Sequence, residues 1–282
     1  MFFPAHSIFS GRALVNLFHV FFMLCCMIFF SAPGFAAPCA APDNLTRVTG
    51  ADECLIIKTY SSKEASSQRR LVVLLHGNHS SGSPAISLYK VAEDMVSVAP
   101  AGTVAVAMIR PGYNNADGEM SSGDAAGRAD NFTAQNIDIV ADAIARLKHF
   151  YKAGRVVLVG HSGGAAMAGV MLGRHPDLAD TAVIVSCPCN VPSWRAMRGR
   201  AGSAWSSESA VNYVDRIRPA VAVSVIVGKQ DDVTPPALSS EYVETLRRQR
   251  LVATLTLLDD VDHVNVIASE TVIQEALRLL LR

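Results

Sequence analysis

The sequence predicts an α/β domain: a mostly parallel central sheet with helices on both faces and a small lid insertion. Short apolar runs rich in β-branched residues alternate with longer stretches of helical periodicity, the pattern of βαβ units. Several of these runs are continuously apolar, as strands covered on both faces must be. Two long connections leave the carboxyl ends of expected strands, where open α/β sheets form ligand crevices. The chain has 282 residues, half of them hydrophobic and 18% charged, which suits one sizeable globular domain with a short extension.

Strands are expected at 54–60, 71–75, 103–109, 155–159, 182–186, 222–227 and 251–258. Between them 84–98, 131–151, 163–174, 236–250 and 264–281 carry apolar residues at helical spacing; in the second, Ile137, Val140, Ile144 and Leu147 share one face. The connection 110–130 is rich in Gly, Asn, Ser and Asp. The other, from Cys187 to about 217, holds Trp194 and Trp205; its part 188–217 reads as a lid or binding wall, or else as a surface helix packed by its tryptophans.

The amino-terminal stretch has Arg12, an apolar run over 13–30, and then small residues ending Gly34-Phe35-Ala36. That order describes a secretory signal peptide over 1–36, cut before Ala37, so that 37–282 is the secreted or periplasmic domain. The alternative is a membrane anchor through 13–30. Removing the leader leaves Cys39, Cys54, Cys187 and Cys189, an even count that favours disulfides in an exported chain. Cys39 with Cys54 is the preferred bridge, because both lie where the chain must be pinned ahead of the first core strand. Cys187-Pro188-Cys189 is open between a local disulfide, a redox pair and two free thiols.

Lysine plus arginine and aspartate plus glutamate both number 25, so no broad field draws nucleic acid or an anionic membrane. The expected partner is a small molecule, with no stable membrane association once the leader is gone. No motif implies a metal or an organic cofactor. Oligomeric state is left open.

The strand ending at Val159 runs into Gly160-His161-Ser162-Gly163-Gly164 and then a small-residue helix. A serine on such a strand-turn-helix is lifted clear of the sheet, and the glycines keep side chains out of the sharp turn. The helix amino end favours negative charge developing beside it. The strand ending at Val227 meets Asp231-Asp232 before Thr234-Pro235. Of the two, Asp231 is the candidate for orienting a histidine, and Asp232 reads as a helix cap. The last strand leads to His263, a residue type that can take a proton and give it back. His79 and His161 are candidate pocket residues, joined by Tyr113 and Trp194 from the two long connections. His76 is expected to shape a turn.

From about Cys54 to the end the chain resembles the α/β-hydrolase superfamily. The resemblance rests on the Ser162 turn, Leu74-Leu75-His76-Gly77-Asn78, the Asp231 loop and the terminal His263. Arg110-Pro111-Gly112-Tyr113 and the compact lid are similar to small exported esterases and to dienelactone-hydrolase or prolyl-oligopeptidase-like hydrolases. The resemblance implies the chain order nucleophile, acid, base for Ser162, Asp231 and His263, and an oxyanion hole from the N–H groups of Asn78 and Gly163. It implies a carboxylesterase-like serine hydrolase acting on a small-molecule ester through an acyl-enzyme. Peptide or amide cleavage and acyl transfer use the same machinery. Outside enzymology, the alternatives are an inactive secreted binding protein or a redox centre at Cys187 and Cys189. The Cys-Pro-Cys motif has no counterpart in the resemblance.

Overall fold

In the computed structural model, described residues are 1–2, 39, 42–79, 81–123, 131–202 and 204–282. The chain divides into two units, Met1–Phe35 and Ala36–Arg282, and all that follows concerns the second. The leader expected at 1–36, apart from Met1 and Phe2, and the alternative anchor at 13–30 fall outside the described residues. Among the described residues no helix is long and apolar enough to cross a membrane.

Eight strands form one sheet: β1 (Arg47–Gly50), β2 (Glu53–Ser61), β3 (Arg70–Leu75), β4 (Thr103–Met108), β5 (Arg155–His161), β6 (Thr181–Val185), β7 (Ala222–Gly228) and β8 (Val252–Leu258). Their order is β1-β2-β4-β3-β5-β6-β7-β8. β1 and β2 pair antiparallel, as do β2 and β4; every other pairing is parallel. The central strands read RLVVLL, TVAVAM and RVVLVGH, and their β-branched residues suit a sheet buried on both faces.

Successive side chains of a strand point to opposite faces, and β3 divides accordingly. Leu71, Val73 and Leu75 join one core with α2 (Ala134–Phe150), α3 (Gly163–Arg174) and α5 (Pro236–Arg248). Val72 and Leu74 join the other with α1 (Tyr89–Ser97) and α6 (Glu270–Leu280). In α2 the expected stripe Ile137, Val140, Ile144 and Leu147 is buried, and the Thr133 side chain caps the helix by accepting from Asn136 N–H.

The differences from expectation have local causes. The helix expected from 84 begins at Tyr89, because Ala85 N–H donates to Asn114 O (2.8 Å) and ties that stretch to the next loop. The helix expected from 264 begins at Glu270, because Asp262 takes the N–H groups of Val264 and Asn265 and the Ser269 side chain starts the helix anew. β1 was not expected; it turns back on β2 through Ala51 and Asp52, both at positive φ (43° and 68°). A short helix, α4 (Val191–Met197), follows β6 with Asn190 as its cap. Two disulfides close, Cys39–Cys54 and Cys187–Cys189.

Candidate active site

Ser162 stands at the junction of β5 and α3 with φ 53° and ψ −119°, a conformation that L-residues rarely adopt. Such strain costs on the order of 1–3 kcal/mol and persists only where the surroundings enforce it. Here they do: Ser162 N–H donates to Val185 O (2.9 Å), and Gly164 packs so closely on the carbonyls of Leu75 and His76 that no Cβ fits. The side chain meets a cavity of about 300 Å³, also lined by Asn78, His79, His161 and His263. The Ser162 hydroxyl makes no hydrogen bond to another described residue.

Across this cavity the turn after β7 buries Asp231. Its carboxylate accepts from Val233 N–H (3.0 Å), Thr234 N–H (2.7 Å) and the Thr234 hydroxyl (3.0 Å). His263 Nδ1 lies 3.0 and 2.9 Å from its two oxygens. Burial pushes the Asp231 pKa up, yet the bonds from His263 and Thr234 outweigh it and leave the carboxyl below its ordinary value. An ionised Asp231 fixes His263 with its proton on Nδ1, so Nε2 is the bare nitrogen. Asp232, expected as a cap, is exposed, and α5 begins at Pro235 with no side-chain cap.

The His263 loop is held from two sides. Asp262 accepts from Val264, Asn265 and the Asn265 side chain. His161 Nε2 donates to His263 O (2.8 Å), with the two rings 4.9 Å apart. Burial first, and then the neighbouring His263, push the His161 pKa down to about 4, so this ring is neutral near pH 7. His76 is neutral too: burial and Arg110 hold its pKa well down, its Nδ1 donates to Gly77 O (2.7 Å) and its Nε2 accepts from Arg110 N–H (3.0 Å). That is the turn-shaping place expected of it.

Asn78 lines the cavity, and its side chain lies against Gly163, where a Cβ would strike it. The backbone N–H groups of Asn78 and Gly163 bond no other described residue and stay available as donors. Of the candidate pocket residues, His79 and His161 line the cavity, whereas Tyr113 and Trp194 do not. Tyr113 is fully buried beneath Asn78, its hydroxyl 3.3 Å from Asn78 Oδ1. Trp194 turns aside to donate to Val233 O (2.8 Å).

Among the described residues, none that lines the cavity comes from 188–217, the segment expected as a lid or binding wall or else as a surface helix. That segment packs along α3 instead: a helical turn at Ala210–Arg216 brings the Tyr213 carbonyl against Gly173. Sequence reasoning also missed Thr234, which bridges Asp231 and His263 (Oγ1 to Nδ1 3.1 Å). Its signal was the D-x-x-T spacing, a common side-chain-to-backbone turn. Ser81, Ser83 and Ser87 on the cavity wall were missed as well. Among the described residues no three His, Cys, Asp or Glu side chains gather as a metal site would need.

Strand order, the strained serine turn and the acid–histidine pair beyond β7 and β8 together define an α/β-hydrolase-fold protein. Residues 72–210 match the model of the alpha/beta hydrolase family, a stretch that includes Ser162 and ends before Asp231 and His263. Among solved structures the chain is similar to the esterase Est1E of Butyrivibrio proteoclasticus with ferulic acid bound (14% identity, TM-score 0.64, 83% of this chain and 97% of that one). It is also similar to an esterase of Pyrococcus furiosus (19%, 0.63, 84% and 90%). An acylaminoacyl peptidase of Pyrococcus horikoshii aligns over 82% of this chain but 39% of its own (13%, 0.62). No curated protein sequence matches the chain.

Proposed function

We propose that the protein is an exported serine hydrolase that cleaves carboxylic esters through an acyl-enzyme on Ser162. The observation that carries this reading is the His263–Asp231 pair: Nδ1–H is committed to the carboxylate at 2.9 Å, and Nε2 is left without a partner among the described residues beside the cavity that Ser162 lines. In the proposed reaction the Ser162 oxygen attacks the ester carbonyl while its proton passes to His263 Nε2. The oxyanion takes hydrogen bonds from the N–H groups of Asn78 and Gly163. The intermediate collapses as His263 returns the proton to the departing alcohol. Water then attacks the acyl-enzyme, with His263 again as base, and the carboxylic acid leaves.

The serine and histidine side chains need only meet once substrate is bound, since such bonds commonly tighten in the complex. Export is supported by the leader pattern at 1–36 and by two closed disulfides, which persist in oxidising compartments. The test is a fluorophosphonate probe, expected to label the wild type and not Ser162→Ala. Folded wild type that stays unlabelled would make the protein a binding module instead. Rates on 4-nitrophenyl esters beside peptide anilides separate esterase from peptidase.

A further inference from the structure

Arg110 heads the fully buried side chains by volume. Its Nη2 donates to Asn78 Oδ1 (2.7 Å), the Tyr113 hydroxyl (2.9 Å) and Asn131 Oδ1 (3.0 Å), all neutral oxygens. Its Nε and Nη1 are buried with no hydrogen-bond partner. Among the described residues no carboxylate bonds the guanidinium. The nearest imidazole, His76, is itself held neutral and accepts the Arg110 backbone N–H. The Tyr113 ring lies under the guanidinium at 4.8 Å, a contact worth only about 0.5–2 kcal/mol.

Burying an ion without a counter-charge costs several kcal/mol, and neutral acceptors return part of it. The unsatisfied atoms show where the compensating benefit falls. Nη1 lies 2.7 Å from the point a Cβ on residue 163 would occupy, so glycine is required there and the charge sits against the residue after Ser162. Nη2 grips Asn78, the residue assigned the other oxyanion donor. The charge, bonded by no described carboxylate, thus lies against Gly163 and the Asn78 side chain.

We propose that Arg110 is a positioning residue of the oxyanion hole, clamping Asn78 and setting an unneutralised positive charge behind the two donors. The proposal rests on Ser162 being the nucleophile. In the resting protein no described carboxylate partners the charge; in the tetrahedral intermediate the substrate oxygen supplies a negative one. An attraction realised only then raises kcat and leaves KM alone. A carboxylate beside Arg110 would steady the loop equally well but would cancel this field.

Steady-state kinetics on 4-nitrophenyl acetate test the idea, with folding followed by circular dichroism. Arg110→Met is expected to lower kcat about 10²-fold with KM changed by less than about twofold, and Arg110→Lys to recover most of the loss. Affinity for a trifluoromethyl ketone, whose adduct with the serine carries negative charge, should fall in step with kcat/KM. Asn131→Asp, which sets a carboxylate on Nη2, should lower kcat at least about tenfold. The proposal is overturned if wild type is labelled by fluorophosphonate yet a folded Arg110→Met keeps its kcat or changes only KM. It is equally overturned if Lys rescues nothing. Should the Met variant not fold, Asn131→Asp with full kcat decides against it. An unlabelled wild type overturns the hydrolase reading first, and this proposal with it.

Discussion

Asp231 accepts four hydrogen-bond donors in a site from which water is excluded, and what it controls is which His263 nitrogen carries a proton. In Asp231→Asn an amide nitrogen facing Nδ1 would favour the opposite tautomer, leaving Nε2 protonated and unable to accept from the serine. We expect kcat to fall by about 10⁴, with the fold retained as judged by circular dichroism. His161 offers a second prediction, in stability. Its pKa is about 4 in the folded chain against 6.5 unfolded, so between these values the unfolded state binds more protons. Its contribution is complete above pH 6.5, declines as pH falls through that window and is gone below about 4, a loss of roughly 3 kcal/mol at 1.36 kcal/mol per unit. Urea unfolding of wild type and His161→Gln across pH 4–7 reads the difference, and equal slopes would refute it. The meeting of Asp231 with His263 and the sharp turn at Ser162 were legible because each of the three residues follows an apolar strand within a few positions. Arg110 was not, since an arginine after a strand looks like any solvated charge until its burial is seen.

At the scale of elements, the seven longer strands were readable from their apolar runs. β1 was not, as four residues offer little pattern and its turn uses Ala51 and Asp52 at positive φ in place of glycine. The region 188–217 stayed open between a lid and a surface helix, because tryptophans and arginines in a connection beside the site fit both; in the fold its turn at Ala210–Arg216 packs against α3. The Cys39–Cys54 bridge fastens the described start of the domain to β2 across a sequence separation of 15. A loop of that length is worth about 3 kcal/mol through loss of unfolded-chain entropy. The double replacement Cys39→Ser/Cys54→Ser should lower stability by roughly that amount in denaturant titrations while leaving fluorophosphonate labelling intact. A change under about 0.5 kcal/mol would mean that the strand pairings alone hold this end.

At the scale of the whole molecule, Ser162, Asp231 and His263 lie beyond the ends of β5, β7 and β8, so their meeting is a property of the completed sheet and not of any one segment. The cavity that Ser162 and His263 line is small, about 300 Å³, with Asn78, His79, Ser81, Ser83 and Ser87 in its wall. A long acyl chain would outgrow that volume, forfeiting about 0.8 kcal/mol for each methylene left in water. We therefore expect kcat/KM for 4-nitrophenyl esters to be highest at two to four acyl carbons (~2–4) and to drop at least about tenfold by twelve (~12). A profile rising with chain length would argue against this cavity as the acyl site.

The bond from His161 to the carbonyl of His263 joins positions 102 residues apart. It fastens the loop of His263, proposed as the general base, to the residue before Ser162, so a local clasp helps set the spacing of the two side chains. Together with the Asp262 turn and the Asp231 contact, that clasp holds His263 against displacement arising in α6.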